Sequence, residues 1–254
     1  MYIMELTYPG VWVHTDNEQD SRDISSLLLM AESKLIEATI ALTYFDKIRS
    51  VTSSEFSSYQ WEKDASDRKK IENEIIVLNK NISFEDLYYI VDIELKRKKW
   101  RDGKIPNSYK HQIPFIYAQI FLSSIDTICK TIESISKLNS APQVVEDILN
   151  DIDILLPKIK KIRNTTQHLE ERVVKKGPYG KKIKLRPINN GVIKSDGGVL
   201  ILNSLCDNNF GQTLDDGSFA EIKVDIHTLV HVRDAIQKTI NCFQWHGPRR
   251  HIPS

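Results

Sequence analysis

The spacing of apolar residues predicts helices over the first two-thirds of the chain. From Ser21 to Ser50, apolar residues recur at helix-like separations, which indicates one buried face. Residues 55–80 predict a more polar helix. A third is predicted after Ser83, whose hydroxyl suits an N-cap with acidic residues following it. A fourth is predicted over residues 113–138.

A fifth helix is predicted from the cap at Asn139 or Ser140 to residue 175, with Pro142 in its first turn and a kink at Pro157. Its apolar positions alternate in steps of three and four, so it should pack antiparallel against the fourth helix. This seam consists of Ile152, Leu155, Ile159, Ile162, Leu169 and Val173, with Thr166 filling the remaining position. Burial is predicted for Ile159, Ile162 and Leu169.

The pattern changes after Val174, where short β-branched runs are separated by Gly, Asn and Asp. Asp216-Gly217 predicts a two-residue hairpin turn, and Asp225 should cap a last helix that returns to the bundle. The predicted fold is therefore mainly α, an antiparallel helical bundle with a small antiparallel β-sheet inserted before the C-terminal helix. The predicted domains are 1–176 for the bundle, 177–224 for the sheet, and 225–254 for the final helix and tail.

Composition places the chain among soluble globular proteins. The 254 residues are 41% hydrophobic and 27% charged, and no apolar run approaches the ~20 residues that span a bilayer. No signal peptide is visible at the amino terminus. The three cysteines lie far apart and form no CxxC pair. We therefore expect a cytoplasmic protein without a membrane partner.

Positive charge is concentrated in one segment of a nearly neutral chain. Residues 157–186 contain eleven basic and two acidic residues, a net charge of +9, whereas the whole chain carries +1. Such a segment suits a polyanion, although a solvated lysine-rich face gives the same pattern. The candidate RNA-binding residues here are Lys160, Lys161, Arg172, Lys175, Lys176, Lys181 and Lys182.

Within this segment, Arg163 and Asn164 precede His168 on the fifth helix, with four residues between Arg163 and His168. On a continuous helix, Asn164 and His168 would share the face away from the seam. The string IRNTTQHLEERV resembles the signature of the HEPN superfamily, helical proteins in which an Arg, a polar residue that is often Asn, and a His mark a metal-independent ribonuclease site. The resemblance implies that Arg163, Asn164 and His168 are catalytic, and that no metal or other cofactor takes part.

Side-chain chemistry assigns a role to each of these residues. His168 exchanges protons near neutral pH and would act as general base or acid, while Arg163 would hold the phosphate. Asn164 would orient His168 or contact the phosphate. Because one histidine leaves the second proton transfer without a partner, we expect a homodimer that pairs two motifs, which the resemblance also implies.

The expected function is an endoribonuclease that uses the 2′-hydroxyl of RNA, with tRNA or mRNA as candidate targets. An unrestrained ribonuclease harms its own cell, so family analogy points to a toxin or phage-defence effector of the abortive-infection type. An antitoxin or regulatory protein would then be a further partner.

Other interpretations remain open. A non-catalytic HEPN-type module would bind RNA, a nucleotide or a protein through Arg163 and His168, and a structural helical protein would not need either residue. His227 and His231 have metal-ligand spacing but no HExxH motif, so a surface position is favoured. Tyr88-Tyr89 and Trp100 beside KRKKWR could stack on bases, although packing is the commoner role.

Overall fold

The computed structural model describes residues 1–51 and 58–253, which form two compact units. One unit contains residues 1–46 and 115–254, and the other contains residues 47–114. The boundaries fall inside helices α1 (Glu18–Val51) and α4 (Asn107–Ser136). The predicted segments 1–176, 177–224 and 225–254 therefore do not coincide with the compact units.

The smaller unit contains the antiparallel pair α2 (Ser58–Leu78) and α3 (Phe84–Arg101). The predicted cap of α3 is confirmed, because Ser83 Oγ accepts a hydrogen bond of 3.1 Å from the Asp86 backbone N–H. The predicted start of the second helix at residue 55 lies outside the described residues. The basic run at the end of α3 is largely neutralised within this unit, for example by the 2.7 Å ion pair between Lys98 and Asp67.

The larger unit adds four helices: α5 (Val144–Leu155), α6 (Ile159–Gln167), α7 (Leu169–Val173) and α8 (Ile226–Asn241). Their apolar faces share one core with parts of α1 and α4. Core side chains with almost no exposure include Phe45, Phe121, Ile125, Ile132, Ile162, Phe210 and Ile236. None of the described helices has the length and apolar character needed to cross a membrane.

The predicted fold class is confirmed, because small antiparallel sheets precede α8. Strands β5 (Ser204–Cys206), β6 (Asn209–Thr213) and β7 (Phe219–Lys223) form a three-stranded sheet, and β3 (Ile188–Asn189) pairs with β4 (Lys194–Ser195). The predicted turn at Asp216-Gly217 joins β6 to β7, but five residues separate the strands and not the predicted two. Gly217 has φ +79°, and a Cβ there would lie 1.9 Å from the Lys184 carbonyl oxygen.

Two further ribbons were not predicted from the sequence. Strand β1 (Leu6–Tyr8) pairs with β9 (Arg250–Ile252), and β2 (Trp12–His14) pairs with β8 (Gln244–His246), both antiparallel. Three-residue strands give too short an alternation to detect, and their partners lie more than 200 residues away along the chain.

The predicted fifth helix is wrong as a single kinked helix, because the structure divides it into α5, α6 and α7. Proline lacks an N–H and disfavours helical backbone in the residue before it. Leu156 accordingly leaves the helical region at φ −124° and ψ 56°, and α6 begins only at Ile159. Pro157 therefore ends one helix and does not merely bend it.

Candidate functional site

Helix α6 carries Arg163 and Asn164 and packs antiparallel to α4, as predicted for this part of the chain. Lys160 Nζ lies 2.8 Å from Glu133, and Arg163 Nε lies 3.4 Å from Asp126, so contacts move towards the start of α4 as α6 advances. The predicted burial of Ile159 and Ile162 is confirmed, at 1% and 0% exposure.

The second half of the predicted seam is wrong. Leu169 is only half-buried, Val173 is 61% exposed, and Leu155 is also exposed. Thr165 is buried in place of the predicted Thr166, which is half-buried. The helical phase is therefore lost after α6, and α7 turns a different face to the core.

The break lies at His168, whose backbone N–H donates to the Thr165 carbonyl only three residues before it. The buried Gln212 amide donates to the backbone carbonyl of Ile162 and, at 2.9 Å, to Thr166 Oγ1. Thr166 Oγ1 also donates to the Ile162 carbonyl at 3.1 Å. Gln212 thus ties the middle of α6 to β6, and it does not contact the residues at the break.

Arg163 is anchored on a buried carboxylate. Asp126 is fully buried, and it lies 3.4 Å from Arg163 Nε and 2.7 Å from Lys130 Nζ, but neither contact has the geometry of a hydrogen bond. Two cations share this one carboxylate, so one positive charge remains in excess. The Arg163 side chain is 29% exposed, and its Nη1 donates to Asn164 Oδ1 at 3.3 Å. The Arg163 guanidinium is thus held near Asp126 by charge attraction, and it keeps charge for an anion.

His168 is exposed and lies outside regular helix, with φ −120° and ψ 38°. Its Nδ1 is 3.9 Å from the Glu170 carboxylate, and its backbone carbonyl accepts from Glu171 and Arg172. Asn164 is also exposed. In the described part of the chain, no hydrogen bond or ion pair joins Arg163 to His168. A single chain therefore presents the two groups without bringing them together.

A cavity of about 250 Å³ opens beside Arg163, between α1, α4 and α6. Ile116, Ile120 and Leu122 give it an apolar wall. Its polar lining consists of Glu37, Gln119, Ser123, Arg163, Thr166 and Gln167. Neither Asn164 nor His168 lines this cavity, so Arg163 connects it to the exposed motif surface.

The lysines predicted to bind RNA fall into two groups. Lys160 and Lys161 have acidic partners: Lys160 pairs with Glu133, and Lys161 Nζ lies 3.4 Å from Asp216. Hydrogen bonds from Lys137 and Lys160 lower the pKa of Glu133 to about 2.

The second group lies on residues 175–182, KKGPYGKK, which we call the lysine turn. Lys175, Lys176, Lys181 and Lys182 are exposed there, and none of them forms an ion pair with another described residue. The tip carries Tyr179, which sequence reasoning did not single out and which is 99% exposed.

The prediction for Arg172 is wrong, because its side chain is only 3% exposed. The guanidinium donates to the Lys176 carbonyl at 2.7 Å and lies 3.3 Å from the Glu171 carboxylate. Arg172 therefore supports the lysine turn from inside the protein and is not available to RNA.

Among the residues that the structure describes, other reactive groups do not form a second site of equal definition. Burial, followed by the charges of Asp126 and Asp153, raises the pKa of Cys129 to about 12, which keeps the thiol inert. His168, Glu170 and Glu171 offer ligand atoms within 4.8 Å of one another, but two of the three side chains are exposed. His227 and His231 are exposed beside a groove formed by β7, α8 and the α5–α6 connection.

Comparison of the chain with protein-family models, curated proteins and solved structures gives no significant match.

Proposed function

We propose that this protein is a metal-independent endoribonuclease of the HEPN type. The observation that carries the proposal is the arrangement around α6. Arg163 is anchored by the buried Asp126, and His168 is exposed at the end of the same helix. The lysine turn follows within the next residues of the chain and offers unpaired positive charge for a polyanion.

Cleavage would use the nucleophile that RNA itself carries. His168, as the base, takes the proton from the 2′-hydroxyl, and the 2′-oxygen bonds to the adjacent phosphorus. The bond from phosphorus to the 5′-oxygen breaks, and a second imidazole protonates that oxygen. Arg163 stabilises the charge that develops on the non-bridging oxygens. The products are a 2′,3′-cyclic phosphate and a 5′-hydroxyl, and no water enters this step.

The second imidazole would come from another copy of the chain, so the active species is a symmetric homodimer. The exposed surface of α1 supports this assignment. Ile36 and Ile40 lie four residues apart and are 43% and 40% exposed, and Glu37 between them lines the cavity beside Arg163. Covering this apolar stripe with a second copy would bring that copy close to Arg163.

A toxin or phage-defence role follows from the damage that such an activity does to its host, with an antitoxin or other regulator as partner. RNA binding without cleavage is the second candidate function. It is favoured by the lack of contact between Arg163 and His168 among the described residues, since a binding surface does not need the two groups together.

One gel separates these functions. Purified wild type, Arg163→Ala and His168→Ala are incubated with total RNA, each with and without excess EDTA. Asp151→Ala on the exposed face of α5 serves as a control away from the motif. If the protein is a metal-independent nuclease, wild type should cut the RNA both with and without EDTA. His168→Ala should be slower by a factor on the order of 10²–10⁴. Equal cutting by His168→Ala, or no cutting by wild type that binds RNA, would reject it.

A further inference from the structure

The lysine turn carries one aromatic side chain that is exposed to solvent. Tyr179 is 99% exposed and adopts φ +59°, a backbone region that residues with a side chain rarely occupy. A large aromatic side chain normally gains stability by burial. Neither the exposure nor the backbone conformation of Tyr179 therefore helps the fold, whereas both would suit contact with a ligand.

Backbone hydrogen bonds hold the turn in one conformation. The Gly177 N–H donates to the Lys181 carbonyl at 2.6 Å, and the Ile183 N–H donates to the Lys175 carbonyl at 2.8 Å. The buried Arg172 adds its bond to the Lys176 carbonyl. Because the turn is already ordered, a ligand that binds there does not have to order it.

Two lysines precede Tyr179 in the turn and two follow it. Lys176 and Lys182 face each other as an antiparallel bridge, so the four lysines form two pairs on adjacent backbone segments with Tyr179 at the tip. An aromatic ring flanked by unpaired cations is the combination that binds single-stranded nucleic acid, because bases stack on the ring and the cations contact neighbouring phosphates.

We propose that the lysine turn is a binding site for single-stranded RNA, with one base stacked on Tyr179 and the flanking phosphates on Lys175, Lys176, Lys181 and Lys182. Single strands are preferred because a base in a duplex has both faces covered by its neighbours. This binding site rests on the proposed function in one respect only, namely that the bound strand is the substrate of the nuclease. Because the turn begins seven residues after His168, it would hold the strand that His168 cleaves.

The test measures binding separately from cleavage. Fluorescence anisotropy of a short, unstructured, labelled RNA is recorded for the full-length His168→Ala protein and for the same protein with Tyr179→Ala, Tyr179→Phe or Tyr179→Leu. Tyr179→Ala should lower the affinity for RNA about 5- to 150-fold, because it removes the ring on which one base stacks. Tyr179→Phe keeps the flat ring and should bind RNA as tightly as the parent His168→Ala protein. Tyr179→Leu keeps bulk without the ring and should resemble Tyr179→Ala.

Salt dependence tests the lysines. For single strands, each phosphate contact contributes about 0.7 to the slope of log K against log salt, so Lys181→Gln with Lys182→Gln should reduce the slope by about 1.4. Equal binding by the alanine and phenylalanine variants, or equal affinity for a duplex of the same sequence, would overturn the site. If wild type leaves RNA intact but Tyr179→Ala still weakens binding, the nuclease proposal fails and the binding site stands.

Discussion

Replacing Asp126 by Asn tests whether this carboxylate anchors Arg163. The substitution keeps the size of the side chain but removes the negative charge that Lys130 and Arg163 share. Removing one partner of a buried ion pair costs about 3–5 kcal/mol when the remaining charge stays buried. Lys130 and Arg163 are 42% and 29% exposed, so water can solvate them in part. We therefore expect a loss of about 1–3 kcal/mol in the free energy of unfolding.

For a chain of this size, 1 kcal/mol moves the melting temperature by about 2–4 °C, so Asp126→Asn should lower it by roughly 2–12 °C. Circular dichroism at 222 nm measures the transition, and Asp151→Asn on α5 is the matched control, because that aspartate is exposed. A double-mutant cycle with Arg163→Met then isolates the pair. The anchoring role is refuted if Asp126→Asn melts at the same temperature as Asp151→Asn and shows no coupling to Arg163→Met in the cycle.

Three further predictions concern the support of the site. Gln212→Leu removes the buried donor to Ile162 and should destabilise the protein by about 1–3 kcal/mol, measured by urea denaturation; an unchanged midpoint would contradict this contact. The pKa of Glu133 falls from its usual 4.5 to about 2 in the folded chain, so its ion pairs stabilise the fold above pH 4.5 and are lost as pH drops towards 2. Glu133→Gln should thus melt earlier than wild type at neutral pH but not near pH 2, whereas a difference independent of pH would count against the pairing. Gly217→Ala should unfold the β6–β7 region or reduce the soluble yield sharply, because its Cβ would collide with the Lys184 carbonyl; native-state hydrogen exchange equal to wild type would show that the turn is not as described.

The sequence predicted those features that depend on local patterns. Helical periodicity identified α1, α3 and α8, and the caps at Ser83 and Asp225 follow from the preference of short polar side chains for helix starts. Asp216-Gly217 indicated the turn between β6 and β7, because glycine readily adopts the positive φ that Gly217 has there. These features need only neighbouring residues.

Features that depend on distant contacts were missed. Gln212 contacts α6 from a strand some 50 residues away, and periodicity could not show this contact. Periodicity alone also extended the helix past His168 and placed Arg172 on the surface. Asp126 could have been suspected, because it is a lone acid inside the apolar run IFLSSIDTICK, but its partner on α6 could not be read from the spacing. The two lysines on each side of Tyr179 could have indicated a binding residue, but only the structure shows that its side chain is almost fully exposed.

In the proposed reaction, RNA supplies the nucleophile and His168 removes its proton. The most direct test uses a short RNA with one mapped cleavage site and the same strand with a single 2′-deoxy nucleotide on the 5′ side of the scissile phosphate. Wild type should cut the all-RNA strand in excess EDTA to give a 2′,3′-cyclic phosphate, and it should leave the deoxy position uncut. Cleavage at the deoxy position, or a product with a 5′-phosphate, would contradict it.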